Sequence, residues 1–269
     1  MNISGYVETQ LLYESQNTIV YQAIDEKSRQ KVILKTLKSG YITSQESNRL
    51  QTEYRTLEQF DNEGVIGVLG QTVIDNTPAI VMEDIGGRSL SDILTTVRLD
   101  LPNFLSLAYK ITTILKAIHD REIIHKDINP SNIIWNQKED LVRIIDFGIS
   151  TQFSRESIPG KNPGVIEGTL YYISPEQTGR MNRVLDYRTD FYSLGITFYQ
   201  MLTGQVPFNS DDLGSLIHSH IAKQPKSPVE CDPAIPKTVS SIVMKLIAKN
   251  AEDRYNSTYG CLLYTSDAA

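Results

Sequence analysis

The periodicity of the chain changes at Gly86-Gly87, and this change limits the fold more than any other feature of its 269 residues. Before it, apolar residues come in short, strand-like runs. Lys31 to Leu37 reads KVILKTL and Pro78 to Glu83 reads PAIVME. Tyr13 to Ile24 alternates weakly, and Val65 to Ile74 is strand-like again. One helix interrupts them, Ser44 to Phe60, with Leu50, Tyr54 and Leu57 at helical spacing. The paired glycines then break the chain. Beyond them helices are predicted at Ser91 to Val97, Asn103 to His119, Tyr187 to Thr203, Leu213 to Ala222 and Val239 to Lys249. A β-rich patch at Ile123 to Ile145 and a Gly-, Pro-, Ser- and Thr-rich loop at Gly148 to Gly168 stand between them. The expected class is α+β in two lobes, a small β-rich lobe over residues 1–85 and a mainly helical one over 86–260. A small ligand is expected in a cleft between lobes. The last nine residues, Cys261 to Ala269, continue no amphipathic pattern and are read as a non-native or truncated tail.

Composition excludes several function classes. The net charge of −6 supplies no basic face to neutralise phosphates, so no nucleic-acid partner is expected. No apolar run approaches the roughly 18 residues of a membrane span. The first ten residues show no basic stretch followed by an apolar one, so no secretory leader is expected. Cys231 and Cys261 make neither a disulfide framework nor a metal site, which suits a reducing cytoplasm.

The chemistry concentrates in a few spacings. His125-Lys126-Asp127-Ile128-Asn129-Pro130-Ser131-Asn132 sets a carboxylate and a carboxamide five residues apart, and Asp146-Phe147-Gly148 begins fourteen residues beyond Asn132. Alone, the first could be loop caps and the second a turn. Lys35 ends a V-I-L-K strand run and could be an ordinary exposed strand lysine. Glu53, one turn before Leu57, is its chosen partner on the following helix, with Glu46 and Glu58 as alternatives. Ser174-Pro175-Glu176, Asp190 and Arg254 could each be a helix cap or a surface charge. Six such features in one order are hard to assemble by chance.

That order resembles the protein-kinase superfamily, and the match runs from residue 7 to about 260. The first stretch resembles the H-R-D-x-x-x-x-N catalytic loop, and Asp146-Phe147-Gly148 the D-F-G motif. Lys35 resembles the V-A-I-K lysine, Ser174-Pro175-Glu176 the A-P-E motif, and Asp190 and Arg254 its usual braces. More narrowly, the chain looks like a bacterial Hanks-type serine/threonine kinase domain. Gly168 to Ser193 and His218 to Pro225 are similar to a subfamily in which such a domain begins long signalling proteins. An ATPase-like module, a GAF sensor and a histidine kinase commonly follow there.

The resemblance implies ATP and Mg2+, or Mn2+ in its place, and a protein substrate presenting Ser or Thr. Asp127 would orient the acceptor hydroxyl and take its proton, while Asn132 and Asp146 would hold the metal. Lys35, aimed by Glu53, would contact the α- and β-phosphates. The adenine would hang from the backbone of Glu83 and Ile85 after a gatekeeper Met82, between Leu12, Val20, Ile33 and Ile134. Asn129-Pro130, and a Thr169 hydroxyl within reach of Asp127, point to Ser/Thr specificity.

Four departures qualify the match. The glycine-rich-loop positions fall on Tyr13, Ser15 and Thr18. Asn129 replaces a lysine near the transferring phosphoryl, so a neutral donor and a slow enzyme are expected. Lys126 replaces arginine and cannot grip a phosphothreonine in bidentate fashion. Ile33 replaces a small residue over the adenine. The alternative is a pseudokinase, a nucleotide-binding scaffold that regulates downstream modules. A small-molecule kinase is opposed by Ser174-Pro175-Glu176, which belongs to a peptide-docking segment.

Overall fold

The computed structural model describes residues 3, 5–38, 42–61, 63–153, 169–181, 183–258 and 260. Most of the predicted loop, residues 154–168 with Gly168, and the tail Cys261 to Ala269 lie outside them. The chain divides into two units, Met1–Gly87 with Asn136–Gly148, and Arg88–Trp135 with Ile149–Ala269.

In the first unit, β1 (Tyr6–Glu14), β2 (Thr18–Asp25), β3 (Lys31–Leu37), β4 (Val68–Ile74) and β5 (Thr77–Glu83) form one antiparallel sheet. The strand order is β1-β2-β3-β5-β4. Alternation decides which face of β3 is buried. Val32 and Leu34 join Tyr21, Ala23, Ile74, Ala79 and Val81 in one apolar cluster, while Ile33 and Lys35 take the other face. Register then puts Lys35 opposite Val20 and Ile80, and Ile33 opposite Gln22 and Met82.

Helix α1 (Ser44–Leu57) starts at a capping box in which Thr43 and Glu46 satisfy each other's backbone N–H groups. It stops before Phe60, whose ring packs against Phe147 with centroids 5.7 Å apart. Its buried stripe is Leu50, Glu53, Thr56 and Leu57, so a carboxylate occupies a position where the helical period calls for an apolar side chain. The strand Leu141–Ile144 belongs to this unit too, and Ile144 bridges Val65 in parallel.

The second unit is built around a helix buried on all sides. Its helices are α2 (Leu90–Leu94), α3 (Leu101–His119), α4 (Arg188–Thr203), α5 (Leu213–Ala222), α6 (Pro228–Cys231) and α7 (Lys237–Leu246). Every α4 residue from Thr189 to Leu202 except Gln200 is buried. Gly195 permits the close approach of the chain after α7. A Cβ there would lie 2.6 Å from Leu246 Cβ and Ile247 Cγ2. The last helix starts earlier than its apolar spacing suggested, directly after Pro236. Among the described residues, no helix is long and apolar enough to cross a membrane.

Buried in α5, His220 sets Nδ1 3.0 Å from the Tyr192 hydroxyl, and its Nε2 has no hydrogen-bond partner among the described residues. Burial first, then the Lys249 charge, push its pKa down to about 4, against a pull from the Leu170 backbone.

Two stability predictions follow from these contacts. Gly195→Ala overpacks the α4–α7 contact and should cost about 1–3 kcal/mol, seen as a lower midpoint in thermal or urea unfolding. His220 has a folded pKa of about 4, below its ordinary 6.5. Its contribution to stability is therefore complete above pH 6.5 and is lost as pH falls toward 4. Urea midpoints measured across that window should fall more steeply for wild type than for His220→Gln.

Candidate active site

The first unit places one ammonium between two carboxylates. Lys35 Nζ lies 2.7 Å from Glu53 Oε1 and 2.9 Å from Asp146 Oδ1. Glu46 is used by the helix cap, so the partner among the three candidate glutamates is Glu53. Burial disfavours charge on Lys35, but Asp146 and then Glu53 outweigh it and hold its pKa above the ordinary range. Glu53 is pushed up to about 7, first by burial and further by Asp146, while Lys35 pulls the other way. The cluster holds two carboxyl groups against one ammonium. The Asp146 side chain is 44% exposed against 3% for Glu53, so the Asp146 carboxylate is the one on the side open to a ligand. Asp146 takes a left-handed backbone, φ 66°, which aims its side chain at the expense of local strain.

In the second unit the catalytic-loop residues meet. Asn132 Nδ2 donates to Asp127 Oδ2 at 3.0 Å and to the Asp127 carbonyl at 2.9 Å. The Thr169 backbone N–H donates to Asp127 Oδ1 at 2.9 Å. Sequence reasoning expected the Thr169 hydroxyl at Asp127. Instead Asn129 Nδ2 donates to that hydroxyl at 3.3 Å. Asp190 anchors the loop from α4, accepting from His125 N–H at 2.9 Å and Lys126 N–H at 2.7 Å. Glu176 and Arg254 form a buried two-pronged pair, at 2.6 and 2.9 Å.

The proposed adenine-lining residues divide between the units. Val20, Ile33, Met82, Glu83 and Ile85 belong to the first, as does Leu12, which is 49% exposed at an irregularity in the β1–β2 pairing. The Glu83 carboxylate accepts from Gly67 N–H and Arg143 Nε, at 2.9 and 2.8 Å. Asn136 Nδ2 donates to the Ile85 carbonyl at 2.6 Å. Ile134 belongs to the second unit, paired opposite Ser89. The Gly67, Arg143 and Asn136 contacts have no local sequence signal, because each joins segments far apart along the chain.

A family model described as the protein kinase domain matches residues 6–261. The chain belongs to the protein kinase family. Membership implies ATP, a divalent cation and a protein substrate. The kinase is 32% identical over 254 residues to a probable serine/threonine-protein kinase of Clostridium perfringens, covering 94% of this chain and 36% of the relative. A serine/threonine-protein kinase of Myxococcus xanthus is 31% identical over 212 residues, 78% of this chain and 30% of its own length. A hybrid signal transduction histidine kinase of Dictyostelium discoideum is 32% identical over 228 residues, 60% of this chain and 7% of its own. The chain therefore spans about a third of the length of the first two relatives.

Two departures of this kinase now have a physical form. The glycine-free loop between β1 and β2 closes on itself. Ser15 Oγ accepts from the N–H groups of Asn17 and Thr18, at 3.3 and 3.0 Å, and Ser15 N–H donates to the Thr18 carbonyl at 2.9 Å. Asn129 is no projecting donor. Its Oδ1 accepts from Ser131 N–H at 2.9 Å, its Nδ2 serves Asp127 O and Thr169 Oγ1, and it is 2% exposed. Its amide is spent on shaping the loop.

Glu176→Gln should test the buried pair. Arg254 is fully buried, and removing its counter-charge leaves a desolvated guanidinium. The cost should approach the roughly 3–5 kcal/mol of broken buried pairs, measured as a drop in urea-unfolding free energy.

Proposed function

We propose that this domain is a serine/threonine protein kinase that moves the γ-phosphoryl group of ATP to Ser or Thr hydroxyls of proteins, with Mg2+ as its cation and Mn2+ as a substitute. The observation that carries the reading is Lys35 held between the buried Glu53 and the exposed Asp146. Mg2+ binds through one or two protein oxygens and takes others from phosphates and water. Asp146 and the Asn132 carboxamide oxygen are the protein ligands proposed. When bound, the cation neutralises charge on the phosphate oxygens.

The residues of the chain do the rest. Lys35, kept charged by its two carboxylates, meets the α- and β-phosphates, and Glu53 fixes its aim. Asp127 takes the proton of the attacking hydroxyl as the new O–P bond forms and the bond to the leaving ADP breaks. Its carboxylate is already oriented by Asn132 and by the Thr169 N–H, so little reorganisation is left for the reaction. Asn129 acts by tying Thr169 to the loop. Met82, Glu83 and Ile85 would receive the adenine, with Leu12, Val20, Ile33 and Ile134 around it.

The short coverage of these relatives, and the hybrid signalling protein among them, support reading the domain as one part of a longer signalling chain. The need for ATP and the exposed free thiol of Cys231 favour the cytoplasm.

The test is phosphotransfer from γ-labelled ATP to casein by wild type, Asp127→Asn and Asp146→Ala, read by phosphoamino-acid analysis. Wild type should label serine and threonine, and each variant should lose at least about a hundred-fold in rate. Mg-ATP should also raise the melting temperature of wild type by mass action, with the magnesium-dependent part absent in Asp146→Ala. A thermal shift without any transfer, in Mg2+ or Mn2+, would make the domain a nucleotide-binding scaffold.

A further inference from the structure

Lys126, the residue before Asp127, holds its backbone in the left-handed region at φ 71°. That conformation is unfavourable for a side-chain-bearing residue and persists only where the surroundings impose it. On one side the Lys126 N–H donates to Asp190 Oδ1 at 2.7 Å. On the other, its carbonyl accepts from Gln177 Nε2 at 2.8 Å, and that bond is buried. The same peptide unit ends in the Asp127 N–H, which donates to His125 Nδ1 at 3.3 Å.

The other end of the Gln177 carboxamide is bound as well. Its Oε1 accepts from Ser174 N–H at 3.0 Å, and its own N–H donates to Ser174 Oγ at 3.4 Å, a capping box at the turn Pro175–Thr178. A capping box accepts Glu or Gln at this position alike. Only Gln also brings a donor for the Lys126 carbonyl. The amide is therefore required by the catalytic loop and not by the turn.

We infer that Gln177 is a positioning residue: it clamps the carbonyl of the strained Lys126–Asp127 peptide and so couples the Ser174-Pro175-Glu176 turn to the orientation of Asp127. The inference rests on the reading of Asp127 as the group that meets the acceptor hydroxyl. Asp190 holds the peptide before Lys126 and Gln177 the peptide after it, so the left-handed residue is fixed from both sides. A shift of the turn would be transmitted to Asp127 through one side chain.

Gln177→Glu tests this, because it keeps the capping box and sets an acceptor against the Lys126 carbonyl. At pH 8 its kcat should fall roughly ten- to a hundred-fold, the scale of a small misplacement of a reacting group, with KM for ATP within about twofold of wild type. Lowering the pH should restore part of kcat in the variant alone, since a buried carboxyl that takes up a proton regains a donor. Deuterium exchange of peptides spanning residues 124–132 should be faster in the variant than in wild type. Gln177→Met, which lacks the donor and carries no charge, should show the same kcat loss and the same exchange change without the pH recovery. It stands in if the glutamate variant does not fold. Wild-type kcat in either folded variant, or a loss explained by a lower folded fraction with unchanged exchange at 124–132, overturns the inference. If wild type itself transfers no phosphoryl group, the proposed function fails, and the exchange comparison alone decides the clamp.

Discussion

A fully buried carboxylate organises the second unit. Asp190 stands in the first turn of α4 with no exposure; its Oδ1 accepts from the Lys126 N–H, and its Oδ2 accepts from the His125 N–H and lies 2.8 Å from His119 Nε2. A charge in that place is tolerable only because donors surround it. The reciprocal effect is that the catalytic loop cannot relax. Two consecutive backbone N–H groups are committed to one helix, and the left-handed turn at Lys126 follows from the commitment. Asp127, Asn129, Asn132 and Thr169 then find one another through short local bonds.

The first unit solves the opposite problem. Its ionic cluster is left unbalanced, with Lys35 shared by Glu53 and Asp146. Glu53 is the structural half of that arrangement, buried on the apolar stripe of α1, and Asp146 is the accessible half. Under the proposed function, an accessible Asp146 is what would let the cluster receive a phosphate and its cation. Strain is stored at both acidic residues' neighbourhoods, in the positive φ of Lys126 and of Asp146, which is where functional sites commonly hold it.

Much of this was legible in the chain. The β3 run Lys31–Leu37 and helix α5 lie where their periodicity puts them, because local pattern and burial agree there. The pairings of Lys35 with Glu53 and of Glu176 with Arg254 could be named from motif order. Helix ends were less legible. Pro236, not apolar spacing, precedes the start of α7 at Lys237, and α1 stops at Leu57 although its apolar spacing runs on to Phe60. The replacement of a lysine by Asn129 did not reveal in the sequence that its carboxamide is shared among Ser131, Asp127 and Thr169. The S-x-x-Q spacing of Ser174 and Gln177 could announce a capping box, but not the bond from Gln177 to the Lys126 carbonyl, since that partner lies 51 positions earlier.

The self-closing turn at Ser15 bears on timing as well as on shape. A loop that must be ordered by its ligand loses conformational freedom at each encounter and regains it at each departure. Here the N–H groups of Asn17 and Thr18 already have a partner in Ser15 Oγ, so that ordering cost was met when the hairpin folded. Such a hairpin has less to gain from closing over phosphates and less to undo when they leave. Under the proposed function, the grip on a nucleotide would then fall to the side chains of the ionic cluster, and product departure would be governed by electrostatics there more than by the opening of a flap.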